Sequence, residues 1–351
     1  MEKKLRNSNH ELLRLLSMYM IIFIHANMYL PFFCKERSWY LFFNGVVNGI
    51  CNIGVTCFIL ITGFYGLKFE IKKLIKMEIM MILFSLLELL LLYNAFPNEM
   101  VGSNMIEQLA KSCFPFLTRK YWFYSCYVCL FIFSDYINRF FAGLKKKDME
   151  KLLITMLLLF SVFPTFFYFE IIPDNGKGLI QMFMIYLLGR YLRMYGSIHV
   201  SKSVGFFLFI ALWAVNGISH EVLTTIGPIS HHFCKDNSIT NIIMAVLIFQ
   251  AFREIKITSK IINKISAWIF AVFALNNSLV RIVMEYFKNS NFTVENTISG
   301  FLLLAASVLA IYIGCLLVGA VNEKILGKVI DSIADKITKV VERKLSLENN
   351  V

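Results

Sequence analysis

The chain of 351 residues is 58% apolar and only 17% charged, with a mean hydropathy of +0.65 and a net charge of +12. That balance excludes an ordinary soluble domain, in which about a quarter of the residues are charged. It also argues against a nucleic-acid surface, because the basic residues are interleaved with apolar runs and form no patch or tail.

The chain opens on MEKKLR and then a long apolar run with no small-residue cleavage pattern, which reads as a retained first membrane helix and not a signal peptide. A bilayer core of roughly 30 Å needs about 20 apolar residues per helix. Apolar windows fall at 12–33, 41–66, 74–96, 121–137, 152–172, 178–195, 203–219, 237–253, 265–287 and 297–322. The fourth, sixth and eighth are short or interrupted by Asp135 or Arg190. With the N-terminus inside, 25 of the 35 Lys and Arg residues fall on inner stretches and 8 on outer ones. The expected fold is therefore an all-α polytopic membrane bundle of about ten transmembrane helices with both termini cytoplasmic. Its expected parts are a transmembrane domain over 1–322 and a cytoplasmic amphipathic tail over 323–351. In the tail, Leu326, Ile330, Ile333, Ile337, Val340 and Val341 recur at helical spacing among basic residues. Two readings stand for it: a helix on anionic lipid, or a plain amphipathic stop.

Cys126 and Cys129 form a C-x-x-C inside an apolar run, where packing is the expected role. Cys34, Cys113 and Cys234 are expected near the outer face, where a disulfide is open to them. His231 and His232 are adjacent in an outer loop without further ligands at metal spacing, so no metal is expected.

Ionisable groups inside hydrocarbon cost about 2.5–3.5 kcal/mol each on insertion scales, so they mark where chemistry is worth seeking. Arg14 and His25 are eleven residues apart in the first window, which places both on one helix face about 16 Å apart along the axis. Arg14 then lies at the cytoplasmic mouth and His25 near the middle of the bilayer, with Glu11 positioned to hold Arg14. A functional reading makes Arg14 a cationic anchor and His25 a proton acceptor. The plainer reading has Arg14 snorkelling to headgroups and His25 as a helix–helix contact. Arg281 is expected to pair with Glu285 four residues on, and Asp135 and Glu78 to sit near the inner interface. Glu88, deep in LFSLLELLLLY without an evident partner, is the second functional candidate.

The stretch NSNHELLRLLSMYMIIFIHANMYLP, with an acidic residue, Arg, ten residues and His, resembles the first helix of membrane acyltransferase family three. NIGVTCFILITGFYGL resembles that family's second-helix segment ending in a Ser/Thr-Gly-aromatic turn, and FPFLTRKYWFYSCYVCLFIFSDYIN its aromatic segment. KGLIQMFMIYLLGRYLRMY resembles its later glycine-interrupted helix, so the resemblance runs from about Asn7 to Tyr286. It implies a ten-helix bundle that moves an acyl group, commonly acetyl, from acyl-CoA to a hydroxyl of a surface polysaccharide or lipid-linked sugar. His25 matches the family's essential His and Arg14 its paired Arg. The arginines that the family carries after the Gly-aromatic turn appear here as Lys72 and Lys73, implied donor-binding residues. Where the family often has Tyr-Leu-Ile-His, this chain reads VFALNNSLVRIVMEYF, with Asn276 and Asn277.

The reading is thus an O-acyltransferase of the bacterial cytoplasmic membrane, with His25 as general base and acetyl-CoA as donor. Its expected partners are the bilayer and a glycan or lipid-linked sugar acceptor. The alternative is a transporter or flippase for a glycan intermediate, with Arg14 and His25 as substrate or proton-relay groups.

Overall fold

The computed structural model describes residues 7–34, 39–167, 170–196, 200–226, 232–290 and 293–348. Regular structure among them is helical, with one isolated bridge between Cys34 and Val294. The first window becomes α1 (Asn9–Asn27) and a short α2 (Leu30–Phe33), and the second becomes α3 (Tyr40–Cys51) and α4 (Ile53–Tyr65). Next come α5 (Ile71–Ala95), an outlying α6 (Gly102–Cys113) and α7 (Trp122–Gly143). In the fifth window α8 (Lys146–Leu157) passes through a π-helical turn over Leu158–Val162 into α9 (Phe163–Phe167). Pro164 cannot donate a backbone hydrogen bond, so the regular ladder is interrupted where the wider turn occurs. The later windows are α10 (Leu179–Tyr195), α11 (Lys202–Ile226), α12 (Ile239–Glu254), α14 (Ile269–Asn289) and α15 (Thr297–Glu348), with a short α13 (Lys260–Ser266) before α14.

Among the described residues each apolar window is therefore largely covered by a helix or by abutting helices, the fifth running on past the end of α9. Five stretches among the described residues are long and apolar enough to cross a membrane: Tyr40–Tyr65, Lys146–Phe167, Lys202–Val222, Ile269–Asn289 and Thr297–Lys344. α5 has the length, at 25 residues, but carries Lys72, Lys73, Lys76, Glu78 and Glu88.

α1 is the central helix, packed against α3, α4, α12, α14 and α15, with Leu13, Ile22 and Ala26 wholly buried. Its start is tied down by Ser8, whose N–H donates to the Ile257 carbonyl at 2.7 Å, and by Asn9, whose amide donates to the Phe252 carbonyl at 2.9 Å. α4 and α10 cross where Gly63 lies against the Tyr186 carbonyl and Gly189 against the Leu60 carbonyl, with no room for a side chain at either glycine. α4 stops at Gly66, whose φ of +78° is open to glycine and whose N–H donates to Thr62 and Gly63 carbonyls at 2.9 and 3.1 Å. Large apolar side chains such as Phe206, Phe207, Leu302 and Leu317 point outward, as a lipid-facing surface requires.

α15 runs unbroken for 52 residues, from the apolar tenth window through the tail. Past Asn322 it packs against the start of α5, where Asp331 pairs with Lys76 and Asp335 with Lys72, each at 2.6 Å, over the buried Ile330 and Ala334. The three cysteines open to a disulfide, Cys34, Cys113 and Cys234, are all free thiols. Cys126 is buried in α7 and Cys129 is half-buried there. His231 lies outside the described residues.

Candidate functional site

His25 sits in the last turn of α1, two residues before its end, so it lies farther along the helix than the mid-span position expected from the window 12–33. The break after Asn27 accounts for the difference, because the window is shared with α2. His25 opens into a cavity of about 410 Å³ bounded by the end of α5, the connection through α6, and α14.

The imidazole is held by α14. Its Nδ1 lies 3.0 Å from Asn276 Oδ1, and the Asn276 amide nitrogen donates to the Phe273 carbonyl at 2.7 Å. An amide whose nitrogen is committed to a carbonyl presents its oxygen, an acceptor only, to the histidine. Nδ1 must then carry the hydrogen, and neutral His25 keeps its lone pair on Nε2. An imidazole in that tautomer, lining a cavity, is equipped to accept a proton there.

The same stretch of α14 fixes the second candidate. Ser278 donates its hydroxyl to Glu88 Oε1, while Glu88 Oε2 accepts from the Tyr121 hydroxyl and pairs with Lys120 Nζ at 2.8 Å. Lys120 also donates to the Ser85 and Ser112 hydroxyls at 2.7 and 2.9 Å. Glu88 and Lys120 are 7% and 12% exposed, so this is a buried ion pair whose remaining polar valences are satisfied. Glu88 therefore has partners that its sequence neighbours do not reveal, and it forms part of the wall of the His25 cavity.

Arg14 does not line that cavity. It pairs with Glu11 at 3.1 Å, as the i,i+3 spacing implies, and its guanidinium lies 6.0 Å from the centre of the Phe58 ring. Lys72 and Lys73 separate from one another. Lys73 pairs with Glu70 at 2.8 Å and lines a second cavity of about 460 Å³ with Lys68, Lys76 and Tyr127, whereas Lys72 turns to Asp335 of α15. This second cavity opens at the opposite end of α5 from the first. The nearest α5 residues on the two walls, Met80 and Glu88, are eight positions apart, about 12 Å along the axis.

Aromatic rings fill the interval. Phe270, on the wall of the Lys73 cavity, lies 6.3 Å from Phe273, and Phe273 lies 6.0 Å from Tyr121, which reaches Glu88 on the wall of the His25 cavity. Arg14 joins this layer from the side through Phe58, Phe123 and Phe273, with successive ring separations of 5.9 and 5.4 Å.

The model of acyltransferase family 3, described as an acyltransferase domain, matches residues 7–319. The chain belongs to acyltransferase family 3. Membership together with the long apolar helices makes this acyltransferase-family chain a multi-pass membrane protein. The resemblance read from the first helix holds through the described elements as far as the middle of α15. No match is found among curated proteins or among solved structures.

Several contacts depart from simple reading of this family chain. Arg281 does not pair with Glu285. It forms a two-point contact with Glu99 at 2.7 and 2.8 Å and stacks 4.5 Å from the Phe96 ring, while Glu285 faces Lys288 at 3.6 Å. The helical turn Pro97–Glu99 presents both carboxylate oxygens to the single nitrogen Nη2 of Arg281. Asp135 accepts from the Phe69 N–H at 3.3 Å and Glu78 from the Tyr124 hydroxyl at 2.5 Å, so both serve helix contacts. Lys120 and Ser278 were not singled out in the sequence, where one is a loop charge and the other a small residue in an apolar run. A lysine directly before the run YWFYS, on the same side as an unpartnered Glu88, was the available signal.

Proposed function

We propose that this protein is an O-acyltransferase that moves an acyl group, acetyl in the leading case, from acyl-CoA to a hydroxyl of a cell-surface polysaccharide or lipid-linked sugar. The observation that carries this reading is the Asn276-held imidazole of His25 on the wall of a cavity large enough for a sugar ring. Nε2 of His25 accepts the acceptor's hydroxyl proton as the oxygen attacks the thioester carbonyl; the C–O bond forms, the C–S bond breaks and CoA leaves as thiolate. Asn276 acts as a positioning residue, since its carbonyl stabilises the Nδ1–H that remains when the ring becomes imidazolium.

The donor enters from the Lys73 cavity. Lys68, Lys73 and Lys76 supply the positive charge for its phosphates, and Arg14 supplies a further cation beside the aromatic layer. The thioester end has to cross the roughly 12 Å between the cavities, so in this reading the Phe270, Phe273 and Tyr121 side chains turn aside to admit the pantetheine arm. In this reading the Lys73 end faces the cytoplasm of a bacterial cell and the His25 end the opposite face of the inner membrane. About ten helices cross, both termini are inside, and 323–351 is a cytoplasmic tail.

The test is transfer of labelled acetyl from acetyl-CoA by the purified full chain, together with glycan masses from a deletion strain and its parent. Loss of an acetyl or succinyl mass in the deletion strain, and a drop of at least about 10²-fold in His25→Ala, are the expected results. Transfer at a normal rate by His25→Ala overturns the role of His25, and transport of a glycan without CoA-dependent modification overturns the reaction.

A further inference from the structure

The walls of the His25 cavity are unevenly charged. Lys111, Arg119, Lys120 and Arg281 line it against the single carboxylate Glu88. Glu88 is consumed by Lys120, Tyr121 and Ser278. Lys111 and Arg281 pair with Glu107 and Glu99, but these carboxylates are 60% and 50% exposed and neither belongs to the cavity wall. Arg119 stands apart. Among the described residues its guanidinium donates to the Lys177 carbonyl at 3.2 Å and reaches no carboxylate. Asp174, three residues before Lys177, accepts the Gly176 N–H at 2.8 Å through Oδ1 and does not line the cavity.

The backbone makes the placement of Arg119 specific. Its φ is +52°, a left-handed conformation that glycine adopts freely and arginine does not. The turn holds it there through backbone bonds from Thr118 to Phe114, from Arg119 to Phe116 and from Lys120 to Pro115, at 3.0, 3.2 and 3.2 Å. An arginine at a glycine-favouring position on the wall of a cavity whose one carboxylate, Glu88, is already taken by Lys120, Tyr121 and Ser278 is an anion-binding arrangement.

We propose that this cavity selects a sugar acceptor bearing an anionic oxygen pair, a carboxylate or a phosphate, which Arg119 binds in a two-point contact. Gln108, Thr118 and Asn277 on the same wall supply neutral partners for the sugar hydroxyls, and the anion's grip sets which hydroxyl meets His25. This inference rests on reading the cavity as the acceptor site.

The test is equilibrium binding to the detergent-solubilised full chain of octyl glucuronide, octyl glucoside 6-phosphate and octyl glucoside, which differ in the anionic group. At least one of the two anionic probes is expected to bind tenfold or more tightly than the neutral glucoside. Arg119→Gln abolishes that preference without lowering the melting temperature, and Arg119→Lys keeps part of it. Which anionic arm is preferred distinguishes a uronic acid from a sugar phosphate. Equal binding of all three, no binding of any, or a preference unchanged in Arg119→Gln overturns the proposal. Displacement of the probe by CoA through Arg119 also overturns it, by assigning the cations to the donor. Binding needs no turnover: a charge preference without acetyl transfer defeats only the proposed reaction, and transfer without a charge preference defeats only this inference.

Discussion

Asn276 and His25 are 251 residues apart in the chain and 3.0 Å apart in the fold, and their contact selects the nitrogen of His25 that stays bare. Asn276→Ala is expected to lower acetyl transfer by about tenfold or more, less than the roughly 10²–10⁴-fold of His25→Ala, because the ring remains but its tautomer and orientation are free. Asn276→Asp keeps an acceptor opposite Nδ1 and is expected to retain more activity than Ala while moving the acidic limb of the pH–rate profile to higher pH. An unchanged pH profile in Asn276→Asp refutes the positioning role.

Glu88 and Lys120 form a buried pair, so removing one partner leaves the other charge without compensation. Lys120→Met and Glu88→Gln are each expected to destabilise the protein, by about 3–5 kcal/mol when a buried charge is left unpaired. The double substitution is expected to recover much of that loss. Thermal melting in detergent of the four proteins forms a double-mutant cycle, and additive losses contradict the coupling.

Lys72 and Lys73 are adjacent in sequence but differ in surroundings, and kinetics can separate them. Lys73→Ala is expected to raise KM for acetyl-CoA about fivefold, the equivalent of about 1 kcal/mol. Lys72→Ala, which removes a lysine that does not line the Lys73 cavity, is expected to change it less. Equal effects of the two substitutions count against the Lys73 cavity as donor entrance.

Gly63 allows α4 and α10 to touch backbone to backbone. Gly63→Ala is expected to cost about 1–3 kcal/mol, because the methyl would overlap the backbone of Tyr186, which cannot rotate away as a side chain can. A melting temperature equal to wild type shows that the helices separate more easily than this crossing implies.

Asp236, in the connection before α12, is pushed from 3.8 up to about 7, first by burial and further by Asp174, with Lys177 opposing. The folded protein then holds a proton that the unfolded chain releases between about pH 4 and 7, so this group's stabilisation is present at low pH and is lost as pH rises through that window. The melting temperature of wild type relative to Asp236→Asn is therefore expected to fall from pH 5 to pH 8. A difference independent of pH is the contrary result.

Hydropathy marked all of the long helices because it reports on neighbours within a turn or two, and the Arg14–Glu11 pair was legible for the same reason. The same local logic failed for Arg281. Its i+4 neighbour Glu285 was the nearest acid in sequence, but the fold brings Glu99 to it from 182 positions away. Lys72 and Lys73 looked equivalent until α15 came alongside α5 and took one of them.

The sequence by itself determined that this chain is a helical membrane protein of an acyltransferase family, and that Arg14 and His25 share a face of its first helix. The membrane helices and the shared face follow from residue type and helical period, and the family from motifs that are each local in the chain. Only the tertiary structure decided that His25 and Lys73 line different cavities with an aromatic layer between, that Asn276 stands behind the imidazole, and that Lys120 neutralises Glu88. Each of these depends on which helices lie side by side, and in an apolar bundle that choice is made by close packing and a few buried hydrogen bonds between segments far apart in the chain.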